Sequence, residues 1–242
     1  MSNNIQRTTG PGSPPRCEIC STRERCLFAV LPEPKYEHFR SLVRERSVAV
    51  GELVELQGRH GATFGVVKVG LLKGVRKSLD NDGKVIALLG KGRLIGFTQP
   101  FAHPALLSLS AMTPVRICEV DVQAVKHIAM DQPIFRLATY RTIAAFIGCV
   151  ADWSALLRED SFLTKVSGAL QLIAAEEGSQ AFRIPSHTEL ASVLGARRET
   201  IARHIAILIE KGMFRKLDRW HGVLTPAPGD ILAQRRAEEA RP

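Results

Sequence analysis

Residues 186–213, SHTELASVLGARRETIARHIAILIEKGM, constrain this chain more than any other stretch. Leu190, Val193 and Leu194 recur at helical spacing behind Ser186, a residue type that caps helix N-termini. Gly195 breaks the run, and Ile201, Ile205, Leu208 and Ile209 form a second helical stripe. Two short helices joined by a tight turn containing glycine make a helix-turn-helix. The second helix opens with Arg197, Arg198, Glu199, Thr200 and Arg203. Arginines there reach phosphates and guanine edges, and a glutamate accepts from a cytosine amino group. An ordinary helical hairpin with a solvated face has the same periodicity, so charge must decide. Residues 197–219 carry 7 Lys/Arg against 3 Asp/Glu, a local net of +4, which favours DNA.

The second informative stretch is CEICSTRERC, with Cys17, Cys20 and Cys26. Cysteines two residues apart reach one metal centre because the intervening loop turns back on itself. Three thiolates are one short of the usual four, so the fourth comes from Cys118 or Cys149. The neighbouring cations Arg16, Arg23 and Arg25 are expected to favour the thiolate form. Cys149 reads as a small buried hydrophobe that needs no further role.

Residues 1–15, rich in Ser, Asn, Gly and Pro, read as a disordered lead. Residues 32–50 mix apolar and charged residues at helical spacing (Tyr36, Phe39, Leu42, Val43). From about 48 to 125 the pattern changes to short apolar runs: SVAV, LVEL, FGVVKVG, LLKGVRKSL, KVIALL, LIGF, LLSLSAM and RICEVD. Regular short strands separated by turn residues predict an antiparallel barrel or sandwich, with a hairpin turn at Asn81-Asp82-Gly83. Pro133 suits the first turn of a helix running to about Leu157, apolar on nearly every side except at Asp152. Such a helix must be buried on more than one face, and one face is free for a partner subunit. Residues 162–175 predict a further amphipathic helix, and FRKLDRWHGVLTP a two-stranded wing turning at Trp220–Gly222.

The chain's 242 residues, 45% hydrophobic, suffice for two domains, and a formal charge of +9 suits a polyanionic partner. No charged segment followed by an apolar core opens the chain, and the longest apolar run, Ile143 to Ala151, is too short to span a membrane. A cytoplasmic location without membrane association is therefore expected, where 5 cysteines point to metal or redox chemistry rather than disulfides.

In order and motifs, residues 15–230 resemble the CRP/FNR transcription regulators. That resemblance implies an α+β fold: a β-roll of the cyclic-nucleotide-binding jelly-roll type, a long dimerisation helix and a C-terminal winged helix-turn-helix. The corresponding segments are 1–30 (lead and cysteine loop), 31–130 (β-roll), 131–160 (dimerisation helix), 161–230 (DNA-binding domain) and 231–242 (charged tail). Within the family, Cys17, Cys20 and Cys26 together with Cys118 in a C-E-V strand look like the oxygen-sensing FNR branch. The resemblance implies one [4Fe–4S] cluster on these four cysteines, a homodimer on palindromic promoter DNA, RNA polymerase as partner and oxygen as signal. It also implies a dimer switch at Asp152 and Ile147. Two features depart from the FNR pattern: Arg25 stands where an apolar residue typically shields the cluster, and ARRETIAR resembles the CRP reader more than the FNR one.

Four other readings compete with this one. A cyclic nucleotide is not expected, because Gly96-Phe97 replaces the Gly-Glu pair and residues 94–115 contain no Lys or Arg to meet a phosphate. Nitric oxide, zinc or thiol redox through the same cysteines is the alternative signal. Haem iron on His103 or His127 is a further one. No nucleophile–base pair, phosphate loop or paired-carboxylate motif stands out, so an enzyme is not expected.

Overall fold

A computed structural model describes residues 17–77 and 83–225. The N-terminal lead, Arg16, Asn81-Asp82 of the expected turn and the charged tail lie outside the described residues.

All eight apolar runs between 44 and 121 are strands. They are β1 (Arg44–Val48), β2 (Leu53–Glu55), β3 (Thr63–Val69), β4 (Leu72–Lys77), β5 (Gly83–Leu89), β6 (Leu94–Ile95), β7 (Ser108–Ala111) and β8 (Val115–Asp121). They pair antiparallel as two four-stranded sheets, β1-β8-β3-β6 and β2-β7-β4-β5, which form the β-roll. Strands β4 and β5 pair up to Lys77↔Gly83. The helix expected within 32–50 is only α1 (Lys35–Leu42); the chain then enters β1, three residues earlier than the SVAV run predicts. A helix not anticipated, α2 (Val122–Asp131), follows β8, capped by Asp121 accepting from the amide of Gln123.

The long helix α3 (Pro133–Leu157) has the predicted bounds. It is long and apolar enough to cross a membrane by length and composition alone. Here it lies on β5 instead: the Trp153 indole Nε1 donates 3.1 Å to the carbonyl of Val85, and the Cys149 thiol donates to that of Leu88. Only Phe135, Cys149, Trp153 and Leu156 are buried, so most of its apolar surface stays exposed.

The C-terminal domain contains α4 (Phe162–Glu177), β9 (Ala181–Arg183), α5 (His187–Leu194), α6 (Arg198–Glu210), β10 (Phe214–Lys216) and β11 (His221–Leu224). Ser186 caps α5 through its hydroxyl, and Gly195 closes it in the left-handed region (φ 64°), as the sequence predicts. The wing departs from expectation twice. A third strand, β9, joins it in the order β10-β11-β9. Its turn lies at 217–220 rather than at Trp220–Gly222, because the Asp218 carboxylate accepts from the amides of Trp220 (2.6 Å) and His221 (2.8 Å). Gly222 sits inside β11, where a Cβ would lie 2.2 Å from the Phe214 ring; it makes room for packing rather than for a turn.

The two domains share apolar core. Leu71, Leu88 and Met112 of the roll, Trp153 and Leu156 of α3, and Val166, Leu170 and Ile173 of α4 form one cluster that continues to Ile201, Ile205 and Leu208 of α6. A second cluster, with Phe28, Phe39, Phe64 and Phe135, supports the cysteine loop.

Candidate functional site

The cysteine loop is a series of tight turns hinged at its thiols. Cys20 donates its amide to the carbonyl of Cys17, Cys26 to that of Arg23, and Ala29 to that of Cys26. Leu27 and Phe28 are buried beneath it, and the Thr22 hydroxyl donates to the carbonyl of Lys68 on β3 (2.5 Å). Cys118 reaches the same place from β8, where it faces Glu45 of β1 and Val66 of β3. All four thiols, Cys17, Cys20, Cys26 and Cys118, line one cavity of about 510 Å³ empty volume, part of it open to solvent. Cys149 is remote from it, hydrogen-bonded to β5.

The cavity wall is otherwise apolar (Phe28, Phe39, Val43, Val66), with Tyr36, Arg23, Arg40 and Lys68 at its polar margin. Burial first, and then neighbouring thiols, push the Cys26 thiol up to about 11 and the Cys118 thiol up to about 12. At Cys26, then, burial outweighs the effect expected of the nearby arginines. Arg23 lies over the Tyr36 ring (5.3 Å) and donates to its hydroxyl and to the Cys17 carbonyl. Arg25 does not line the cavity; its guanidinium donates 3.1 Å to the carbonyl of Ala175, at the end of α4. A metal binding here would displace protons from thiols whose burial favours the protonated form. Among the described residues no three His, Cys, Asp or Glu side chains are grouped closely enough to hold a single metal ion, so the thiols share a cavity without sharing one coordination point. His103 and His127 are exposed and stand outside this cavity.

Tyr36 and Lys68 are contributors the sequence reading missed. Burial, and next the hydrogen bond to Cys17, push the Tyr36 phenol upward, so it stays a neutral hydrogen-bonding group beside that cysteine. Lys68 presents a cation at the cavity, paired with Glu45 at 2.6 Å.

At the other end, α6 carries the DNA-reading candidates. Arg197 is its N-cap; Arg197, Arg198, Glu199 and Arg203 are exposed, Thr200 half-buried. His187 has its pKa lowered by burial and then by Lys216 and Arg198, so wing and recognition helix share one basic neighbourhood. At the wing tip the half-exposed Trp220 ring lies beside two guanidinium groups, Arg183 (5.2 Å) and Arg219 (4.8 Å), a pairing the sequence gives no means to foresee.

Neither a family model nor a curated protein matches the chain. Solved structures do. FixK2 from Bradyrhizobium japonicum aligns over 83% of this chain and 98% of its own, at 15% identity and a TM-score of 0.64. A CRP/FNR-family putative transcriptional regulator from Eubacterium rectale aligns over 86% and 97% at 17% identity (TM-score 0.57). A CooA mutant from Carboxydothermus hydrogenoformans aligns over 89% and 96% at 15% identity (TM-score 0.59). The chain has the CRP/FNR fold. At these identities the likeness establishes the fold, and function is argued from the site.

Proposed function

We propose that the chain is a homodimeric, cytoplasmic transcription regulator that reads palindromic promoter DNA with α6. In this reading, Cys17, Cys20, Cys26 and Cys118 hold a [4Fe–4S] cluster that makes DNA binding respond to oxygen. The observation that carries it is the meeting of Cys118, on a strand remote in sequence, with the three loop thiols in one cavity. Four thiols spread round an apolar wall suit a polynuclear centre, and Tyr36, Lys68 and Arg23 supply the hydrogen bonds and positive charge that tune such centres. A bound cluster would supply an oxygen-sensitive crosslink between loop and strand. The chain's own residues then anchor the loop (Thr22, Phe28), exclude water and pass the state of the loop to the rest of the fold.

The dimer is supported by α3. Ile134, Leu137, Tyr140 and Ile147 are exposed large apolar residues at the spacing of a two-helix seam, continued by Ala144 and Ala151. Ile147 belongs to this seam and Asp152, half-buried, follows it, which supports their role as a dimer switch. Asp152→Ala is expected to raise the dimer fraction in air; identical sedimentation of mutant and wild type rejects that role. A second cavity, of about 260 Å³, lies between roll and α3, and its one charged lining group is Glu55. No Lys or Arg is among its lining residues to meet a phosphate, which supports a regulator without a cyclic nucleotide. RNA polymerase is the proposed further partner.

The deciding experiment is protein purified without oxygen. Wild type and Cys149→Ser should show iron–sulfur absorbance that bleaches in air, and Cys118→Ser should not. Zinc or no metal in wild type rejects the cluster; absorbance retained in Cys118→Ser and lost in Cys149→Ser rejects the ligand set.

A further inference from the structure

The C-terminal end of α4 is gripped from two directions. Arg25 donates to the carbonyl of Ala175 in the last turn, where helix carbonyls lack intrahelical partners and the dipole is negative. The next residue, Glu176, is 1% exposed. Its carboxylate accepts from Arg93 Nε (2.8 Å), Arg93 Nη2 (2.6 Å) and the Gly90 amide (3.0 Å). The Lys91 amide donates to the Glu176 carbonyl, and Lys91 Nζ lies 3.7 Å from Glu177. A Cβ on Gly92 would lie 2.7 Å from both Cβ and O of Arg25, and one on Gly178, which closes α4 at φ 68°, would lie 3.1 Å from the guanidinium. Arg25 is thus wedged between the 90–93 loop of the roll and the C-cap of the first helix of the DNA-binding domain.

That helix packs directly against α6. Val166, Leu170 and Ile173 share a core with Ile201, Ile205 and Leu208, and the Phe162 ring meets His204 of α6 edge-on at 4.9 Å. Arg25 is also the immediate neighbour of Cys26, which lies extended between two 3-10 turns. A change of conformation at Cys26 crosses one peptide bond to a residue with no slack against Gly92.

We propose that Arg25 is a positioning residue that couples the state of the cysteine loop to the pose of α6, through the end of α4 and without passing along α3. This deepens, and rests on, the reading of the four thiols as a metal centre. Coupling is reciprocal and typically about 5–150-fold in affinity.

The test compares metal-loaded and metal-free forms of wild type, Arg25→Gln and Arg25→Lys on one palindromic DNA, with cluster absorbance per chain recorded for each. Wild type is expected to show different Kd values for its two forms. Arg25→Gln should bring them within about twofold at unchanged absorbance, and Arg25→Lys, which keeps a cationic donor at the helix end, should restore most of the difference. A wild-type ratio retained in Arg25→Gln overturns the proposal. If wild type itself loads no cluster, the proposed function fails, and the contact is read in metal-free protein by amide hydrogen exchange. There Arg25→Gln should speed exchange at Gly178 and Ser179, whose amides bond the carbonyls of Ala175 and Ala174; unchanged exchange overturns the proposal in that setting too.

Discussion

The recognition helix and the cysteine cavity assemble functional side chains in opposite ways. On α6, Arg197 to Arg203 are neighbours in sequence, set out on one surface helix by a cap, a glycine turn and an apolar stripe. At the cavity, three thiols from a loop meet a fourth from β8, and their closeness depends on the register Val66↔Cys118 and on Phe28 filling the space beneath. A local site survives any rearrangement that leaves its helix intact. A non-local site is only as stable as the strand pairing that closes it.

Four substitutions sharpen or break this contrast. Ile201→Ala, at a fully buried position, should cost about 2–5 kcal/mol and abolish DNA binding at elevated temperature. If thermal melts monitored at the metal centre shift as much as those of the C-terminal domain, the two sites are not independent, even though Ile201 and the cysteine loop belong to different apolar clusters. Gly65→Ala attacks the register: its Cβ would lie 2.9 Å from the Cys118 carbonyl and 3.0 Å from Ile95, with little slack in the paired strands. A cost of about 1–3 kcal/mol is expected, with reduced cluster loading measured by iron content. Full loading would show that the cavity tolerates a shifted β8.

Arg198→Ala tests reading rather than folding. If α6 reads DNA as proposed, Arg198, Glu199 and Arg203 should favour a half-site with two G·C pairs, nearer TGTGA than TTGAT. Loss of about 1–3 kcal/mol on that half-site, with relaxed choice at one base pair, is expected. Equal losses on every sequence with a shallower salt slope would make Arg198 a phosphate anchor instead. The smallest effect belongs to Ser186→Ala, which removes the hydroxyl accepting from the Glu189 amide at 3.1 Å. About 1 kcal/mol of stability should be lost, read from denaturant melts. A loss above 2 kcal/mol would mean that α5 depends on its cap more than on its packing.

The same contrast explains what was legible in the sequence. Strand runs, α3, both helix-turn-helix elements and the three loop cysteines follow from periodicity and spacing, which are local. Spacing leaves the fourth ligand open between Cys118 and Cys149, and only the family resemblance favours Cys118. Arg25 shows the limit: its type and position beside Cys26 suggested a group facing the cluster, yet its direction is set by Gly92 and Gly178, far away in the chain. Tyr36 and Lys68 were hidden for the same reason, because only the register of β3 and the seating of α1 bring them to the cavity. The wing turn was misplaced because Gly222 looked like turn chemistry, whereas Asp218 supplies it.

Among the described residues, strand β5 is an edge paired only with β4. An open edge is a template on which another chain can add a strand, and proteins cover such edges or blunt them. Here α3 covers this one, with the Trp153 indole and the Cys149 thiol occupying the carbonyls of Val85 and Leu88. The helix that offers a seam to a second subunit thereby also shields the roll from unordered strand addition. If α3 peels away while its partner is absent, two aggregation-prone surfaces appear together: an apolar stripe and an unpaired backbone. In the proposed dimer, assembly and protection from misassembly would be two uses of one helix.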